Sequence, residues 1–156
     1  MDAQALVKIF EMSHMALTRN LDGITHEESL HAPEPGGNSL NWVLGHLLWG
    51  RNQIFKLLDK PPVWEPEKIA RYARGSAPVG PDDHPESLEE IRAALERTQG
   101  PLLEFLRSCS PEDLAKVDEK GQSLAQRLAM LAFHEGYHGG QAGLLRRLLG
   151  HEGAIS

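Results

Sequence analysis

The strongest constraint in this sequence is the spacing of its apolar residues. They recur every three or four positions through four long stretches, and no stretch alternates apolar with polar residues as a half-buried strand would. The first stretch, residues 3–22, carries Leu6, Ile9, Phe10, Leu17 and Leu21 on one stripe. The second, 40–58, carries Leu40, Val43, Leu44, Leu47, Ile54 and Leu57. The third, 88–107, carries Leu88, Ile91, Leu95, Leu102 and Leu106, and the fourth spans 124–149. Each stripe must be buried against another, which predicts an all-α chain built as a four-helix bundle.

Punctuation agrees with that division. Ser39, or Asn38 before it, caps the second helix; Ser87 with Glu90 and Ser123 with Gln126 have the form of capping boxes for the third and fourth. Thr25 with Glu28, and Ser110 followed by Pro111, each open a short turn of helix. Gly23 and Gly150 are stops, and Gly100-Pro101 predicts a kink inside the third helix. Residues 61–86 are rich in proline and glycine, with a short helix expected near 67–72. So long a connection between the second and third helices reads as a lid or a crossover.

Size and charge narrow the function classes. The chain has 156 residues, which fits one domain over 1–156. Net charge is −6, so the basic footprint of a nucleic-acid binder is missing and no nucleic-acid partner is expected. No apolar run is long enough to span a bilayer, and no secretory signal pattern opens the chain. The expectation is a cytoplasmic protein without a membrane partner. A lone cysteine, Cys109, excludes an internal disulfide and a cysteine-based zinc site.

Eight histidines are the unusual count. His26, His31, His84 and His151 fall in turns, loops or the tail, where solvation explains them, and His14 flanks the first stripe as a structural residue. His134 and His138 differ. Four residues apart, they face one way on successive turns, together with Leu131, Gln141 and Leu145. Two imidazoles thus occupy a stripe that should be leucine. Leaving them buried and unpaired would cost about 1–3 kcal/mol each. Either other helices hydrogen-bond them, or they grip a divalent metal. His46, at the edge of the second stripe with Gly50 one turn on, is the candidate third ligand. Three histidines with open positions are ligation of the catalytic type.

Neighbouring residues have open roles. Glu135 can act as a general base, orient a ligand imidazole, or pair with Arg51, which falls in the second stripe. Gln141 can hydrogen-bond a bound water or a neighbouring helix, supporting the site from outside the ligand set. The run His134-Glu135-Gly136-Tyr137-His138 also spells H-E-x-x-H, the zincin pattern, but no strand is available to align a peptide. Gly136, Gly139, Gly140 and Gly143 stand opposite the histidine face, which suggests close approach by another helix, in the same chain or across a dimer. Trp42 and Trp49 can cover the wall of the site or a subunit interface, as packing residues rather than a cofactor box.

At these motifs the sequence resembles the DinB-like superfamily, which includes the YfiT-like metal-dependent hydrolases. The resemblance rests on Asn38-Ser39-Leu40-Asn41-Trp42-Val43-Leu44-Gly45-His46 and on His134-Glu135-Gly136-Tyr137-His138-Gly139-Gly140-Gln141, followed by the segment 144–150. It implies an up-up-down-down bundle holding Zn²⁺ or Ni²⁺ on His46, His134 and His138. It also implies a homodimer and a small-molecule substrate. The reaction implied is hydrolysis or transfer to a low-molecular-weight thiol, with a non-catalytic metal-binding module as the alternative.

Overall fold

A computed structural model describes residues 2–155, and among them it is all-helical, with an isolated antiparallel bridge between Val117 and Ser123. In order, the helices are α1 (Ala3–Leu21), α2 (His26–Ser29), α3 (Leu40–Leu57), α4 (Pro66–Ala70), α5 (Leu88–Ser108), α6 (Pro111–Ala115) and α7 (Leu124–Leu148), with a 3-10 turn at Pro81–Asp83.

The ends are set by the expected chemistry. Side-chain oxygens of Ser39, Ser87 and Ser123 accept from the backbone N–H groups of Trp42, Glu90 and Gln126. Each satisfies one of the donors that a helix leaves unpaired at its start. Gly23 and Gly150 adopt positive φ past the ends of α1 and α7. Helix α5 runs unbroken through Gly100-Pro101.

Each long helix packs against two others: α1 against α5 and α7, and α3 against α5 and α7. Paired residues fix the directions. Glu11 meets Arg107 and His14 meets Glu96, so α1 and α5 are antiparallel. Asn41 reaches Glu86 and Arg51 reaches Gln99, so α3 and α5 are parallel. Gly50 lies against His134, while residues 53–57 line a cleft with residues 126–131, so α3 and α7 are antiparallel. Helices α1 and α7 therefore run one way and α3 and α5 the other. This corrects the expected up-up-down-down order to up-down-down-up. The physical reason is the chain between the helices: the turn at 22–39 folds α3 back along α1, and the long connection carries the chain the length of the molecule between parallel α3 and α5.

The interior is two apolar clusters. One gathers Leu17, Leu21, Leu40, Val43, Leu47, Tyr72 and Ile91; the other gathers Leu6, Phe10, Ile54, Leu102, Leu106 and Leu128. A polar layer of Arg51, Gln99 and Glu135 is buried between α3, α5 and α7.

Candidate metal centre

Helix α3 supplies His46 and α7 supplies His134 and His138, and one ring nitrogen from each of the three lies within 4.8 Å of the others. His46 and His138 are buried, and His134 is half-buried at the outer edge. The Nε2 atoms of His46 and His134 face each other at 3.1 Å.

The far side of each ring explains the arrangement. His46 Nδ1 donates to the Tyr72 carbonyl at 2.6 Å, and His138 Nδ1 donates to Gln141 Oε1 at 2.6 Å. A carbonyl oxygen only accepts, so these contacts place the proton on Nδ1 and leave Nε2 with its lone pair free. Such outer acceptors orient a ligating imidazole and raise its basicity. His134 Nδ1 is buried without a partner, set against Gly50 where a Cβ would meet it at 3.0 Å. The ring thus takes the space that the missing side chain of Gly50 leaves on α3. Three neutral imidazoles with no carboxylate among them fit a divalent transition metal.

Indoles hold the remaining surfaces of His46. Trp42 stacks on it at 4.7 Å between ring centroids and Trp49 at 5.2 Å, both nearly parallel to the imidazole. Of the two places open to these tryptophans, the structure gives the site: both pack against the His46 imidazole as walls of the candidate site. Tyr72 was not legible as a site residue, because its carbonyl comes from the connection after α4. Its signal was Gly45, whose missing side chain lets the Tyr72 ring sit on α3 next to His46.

Burial disfavours protonation of all three rings. It holds the His46 and His138 pKa values below the usual imidazole range, and His134, which also faces two other imidazoles, is pushed down to about 4. The folded chain therefore refuses protons that the unfolded chain accepts. Metal-free protein should keep full stability above about pH 6.5 and lose it progressively as pH falls toward about 4. Urea unfolding across that window checks the sign; a midpoint that rises on acidification would contradict it.

Of the roles open to Glu135, the structure shows the ion pair. Arg51 Nη2 donates to Glu135 Oε2 at 2.9 Å and to Gln99 Oε1 at 2.8 Å, and Arg51 Nε faces Glu135 Oε1. Burial pushes the Glu135 carboxyl up, and the guanidinium works against that shift. Gln141 supports His138 on its own helix and donates to the Tyr137 hydroxyl at 3.4 Å. The five remaining histidines lie elsewhere: His14 pairs with Glu96, His151 with Glu28, His26 accepts from the Leu88 N–H, His31 Nδ1 meets the Glu27 carbonyl at 3.0 Å, and His84 follows the 3-10 turn at positive φ.

A family model described as the DinB superfamily matches residues 9–142. The crystal structure of a conserved protein from Enterococcus faecalis superposes with a TM-score of 0.76 at 19% identity, covering 96% of this chain and 98% of that one. At that identity the likeness speaks for the fold. No curated protein matches the chain.

Proposed function

The chain belongs to the DinB superfamily, and on that footing we propose that it is a divalent-metal-dependent enzyme acting on a small molecule. The observation that carries this reading is the convergence of three Nε2-presenting histidines between α3 and α7, two buried and one half-buried, whose outer nitrogens are oriented or left spare. We read the four long helices as a four-helix bundle that brings α3 and α7 together at this point. His46, His134 and His138 would hold Zn²⁺ or Ni²⁺. A divalent ion on three neutral imidazoles keeps its full charge and acidifies a water or a thiol offered by a small molecule.

The protein's own groups divide the remaining work. Tyr72 and Gln141 aim His46 and His138, the two indoles exclude water from one side, and the half-buried edge at His134 admits a substrate. A cleft of about 560 Å³ between α3 and α7 begins one turn from His134, at Met130 and Leu131, and is large enough for a small molecule. Glu135 is assigned to Arg51 rather than to proton transfer, which leaves the H-E-x-x-H spelling without its base. Cys109 caps the far end of α5, where burial raises its thiol pKa, so sulfur chemistry here would use a thiol brought by the cosubstrate. A small-molecule site of this kind suits a cytoplasmic enzyme.

Protein purified without a histidine tag should carry one equivalent of metal, or take it up from Zn²⁺ or Ni²⁺ solutions. His46→Ala should lose it while keeping its helical circular dichroism. No uptake by the wild type, or full retention by His46→Ala, would overturn the metal centre. Metal-dependent conjugation of a low-molecular-weight thiol to an electrophile identifies a transferase. Metal-dependent ester or amide cleavage without a thiol identifies a hydrolase.

A further inference from the structure

The last turn of α1 borders a hollow of about 490 Å³, closed on its other sides by α5 and the end of α7. It lies across the bundle from the three histidines, which sit between α3 and α7. Its floor is apolar: Leu17, Leu21 and Leu95, all buried. Three guanidiniums surround it, Arg19 from α1, Arg92 from α5 and Arg146 from α7.

Two of these are held in place. Arg92 Nη2 donates to the Leu21 carbonyl and, at 3.4 Å, to the Ile24 carbonyl. Arg146 Nη1 donates to the Asn20 carbonyl at 3.2 Å and to the Asp22 carbonyl. Arg146 Nε donates to the Glu152 carbonyl at 2.7 Å, which ties down the segment after α7 and sets Ala154 on the wall of the hollow. Capping the carbonyls that α1 leaves unpaired accounts for one edge of each guanidinium. It does not account for the rest. Arg92 Nε and Nη1, Arg146 Nη2 and the whole of Arg19 have no hydrogen-bond acceptor among the described residues. None of the three arginines forms an ion pair there either. Two carboxylates also line the hollow. Glu96 is turned to His14 Nε2 at 3.0 Å, about two turns back along α1 from the anchored arginines. Only Asp22 stands at their end.

We infer that this hollow is a binding site for a small organic acid, with its carboxylate on the spare guanidinium edges and its apolar body on the leucine floor. A planar guanidinium fork matches the two oxygens of a carboxylate. Anchoring on the backbone fixes Arg92 and Arg146 before the ligand arrives, which lowers the ordering cost of binding. Charge sets the head group. One negative charge is matched by the arginines. A second would face Asp22 and the carbonyl end of α1, which carries about half a negative charge of its own. A singly charged carboxylate is therefore favoured over a phosphate. The volume lies in the range of about 300–1,000 Å³ that small-molecule pockets occupy. The site uses none of the histidines, so it stands or falls apart from the metal centre.

Calorimetric titration of the full untagged chain with hexanoate should show one site. Hexanol and hexylamine carry the same body without the carboxylate and should not bind; hexyl phosphate should bind more weakly than hexanoate. Arg19→Gln removes a side chain with no hydrogen bond or ion pair to lose, so it should keep the unfolding temperature. Arg92→Lys keeps the charge and loses the fork. Each should weaken hexanoate about tenfold, the worth of one charge-assisted contact. Affinity should be the same after the metal is stripped and the chelator dialysed away. No binding of hexanoate, equal binding of hexanol, tighter binding of hexyl phosphate, or an affinity that neither variant changes would overturn the site. Binding that requires the metal would place the carboxylate on the histidine centre and overturn it too. A chain that binds hexanoate but takes up no Zn²⁺ would overturn the metal reading and leave this site standing.

Discussion

Arg51→Ala should lower the free energy of unfolding by about 3–5 kcal/mol, the range for removing one member of a buried ion pair. Arg51 is among the largest fully buried side chains, at 1% exposure, and Glu135 is buried with it. Truncation leaves the carboxylate in an apolar interior with its counter-charge gone, and it also strips Gln99 Oε1 of its donor. Part of the loss comes from the guanidinium's packing over the Phe10 ring, 5.7 Å from the centroid. Removing both charges is a different experiment. Arg51→Met with Glu135→Leu keeps volume and leaves no orphaned charge, so it should recover most of the loss. Urea unfolding of the single and double variants measures this. If the double variant is as unstable as Arg51→Ala, packing rather than charge carries the effect.

Gly45→Ala should be nearly as damaging, at about 1–3 kcal/mol for forced overpacking, and it should also weaken metal binding. A Cβ at this position would overlap the Tyr72 ring, which is itself fully buried. The Tyr72 hydroxyl donates to Asn41 Oδ1 and accepts from the Glu86 N–H, so the ring cannot withdraw without breaking both. Any shift of Tyr72 carries its carbonyl away from His46 Nδ1. Thermal unfolding combined with zinc titration tests the link. Lost stability with intact zinc affinity would show that His46 does not depend on that carbonyl.

Much of the fold was legible because helix ends are local chemistry. Ser39, Ser87 and Ser123 announce their helices within four residues, and each structural cap is the one the sequence indicates. The three histidines were legible for a related reason: polar groups in an apolar stripe break a periodicity that burial otherwise enforces. Helix direction was not legible. A stripe of leucines at three- and four-residue spacing reads the same whichever way the neighbour runs, so up-up-down-down and up-down-down-up differ only in what the connections do. Outer partners were legible only where they share the ligand's helix. Gln141 follows His138 by three residues, whereas Tyr72 lies 26 residues from His46 in the chain and left only the mark of Gly45. The glycines of α7 were half legible. Gly143 meets the Asn20 side chain, while Gly136, Gly139 and Gly140 face open space within this chain.

The polar layer between the two apolar clusters has a consequence for how the helices find their register. Helix α7, greasy on both faces, has little in its own side chains to stop it sliding along α3. Moving it by one turn, about 5.4 Å, would set Arg51 opposite Leu131 or Gly139 and strand both charges. The buried pair thus works as an index pin: it makes every slipped alignment costly, and the one alignment it permits is the one that brings His46 to His134 and His138.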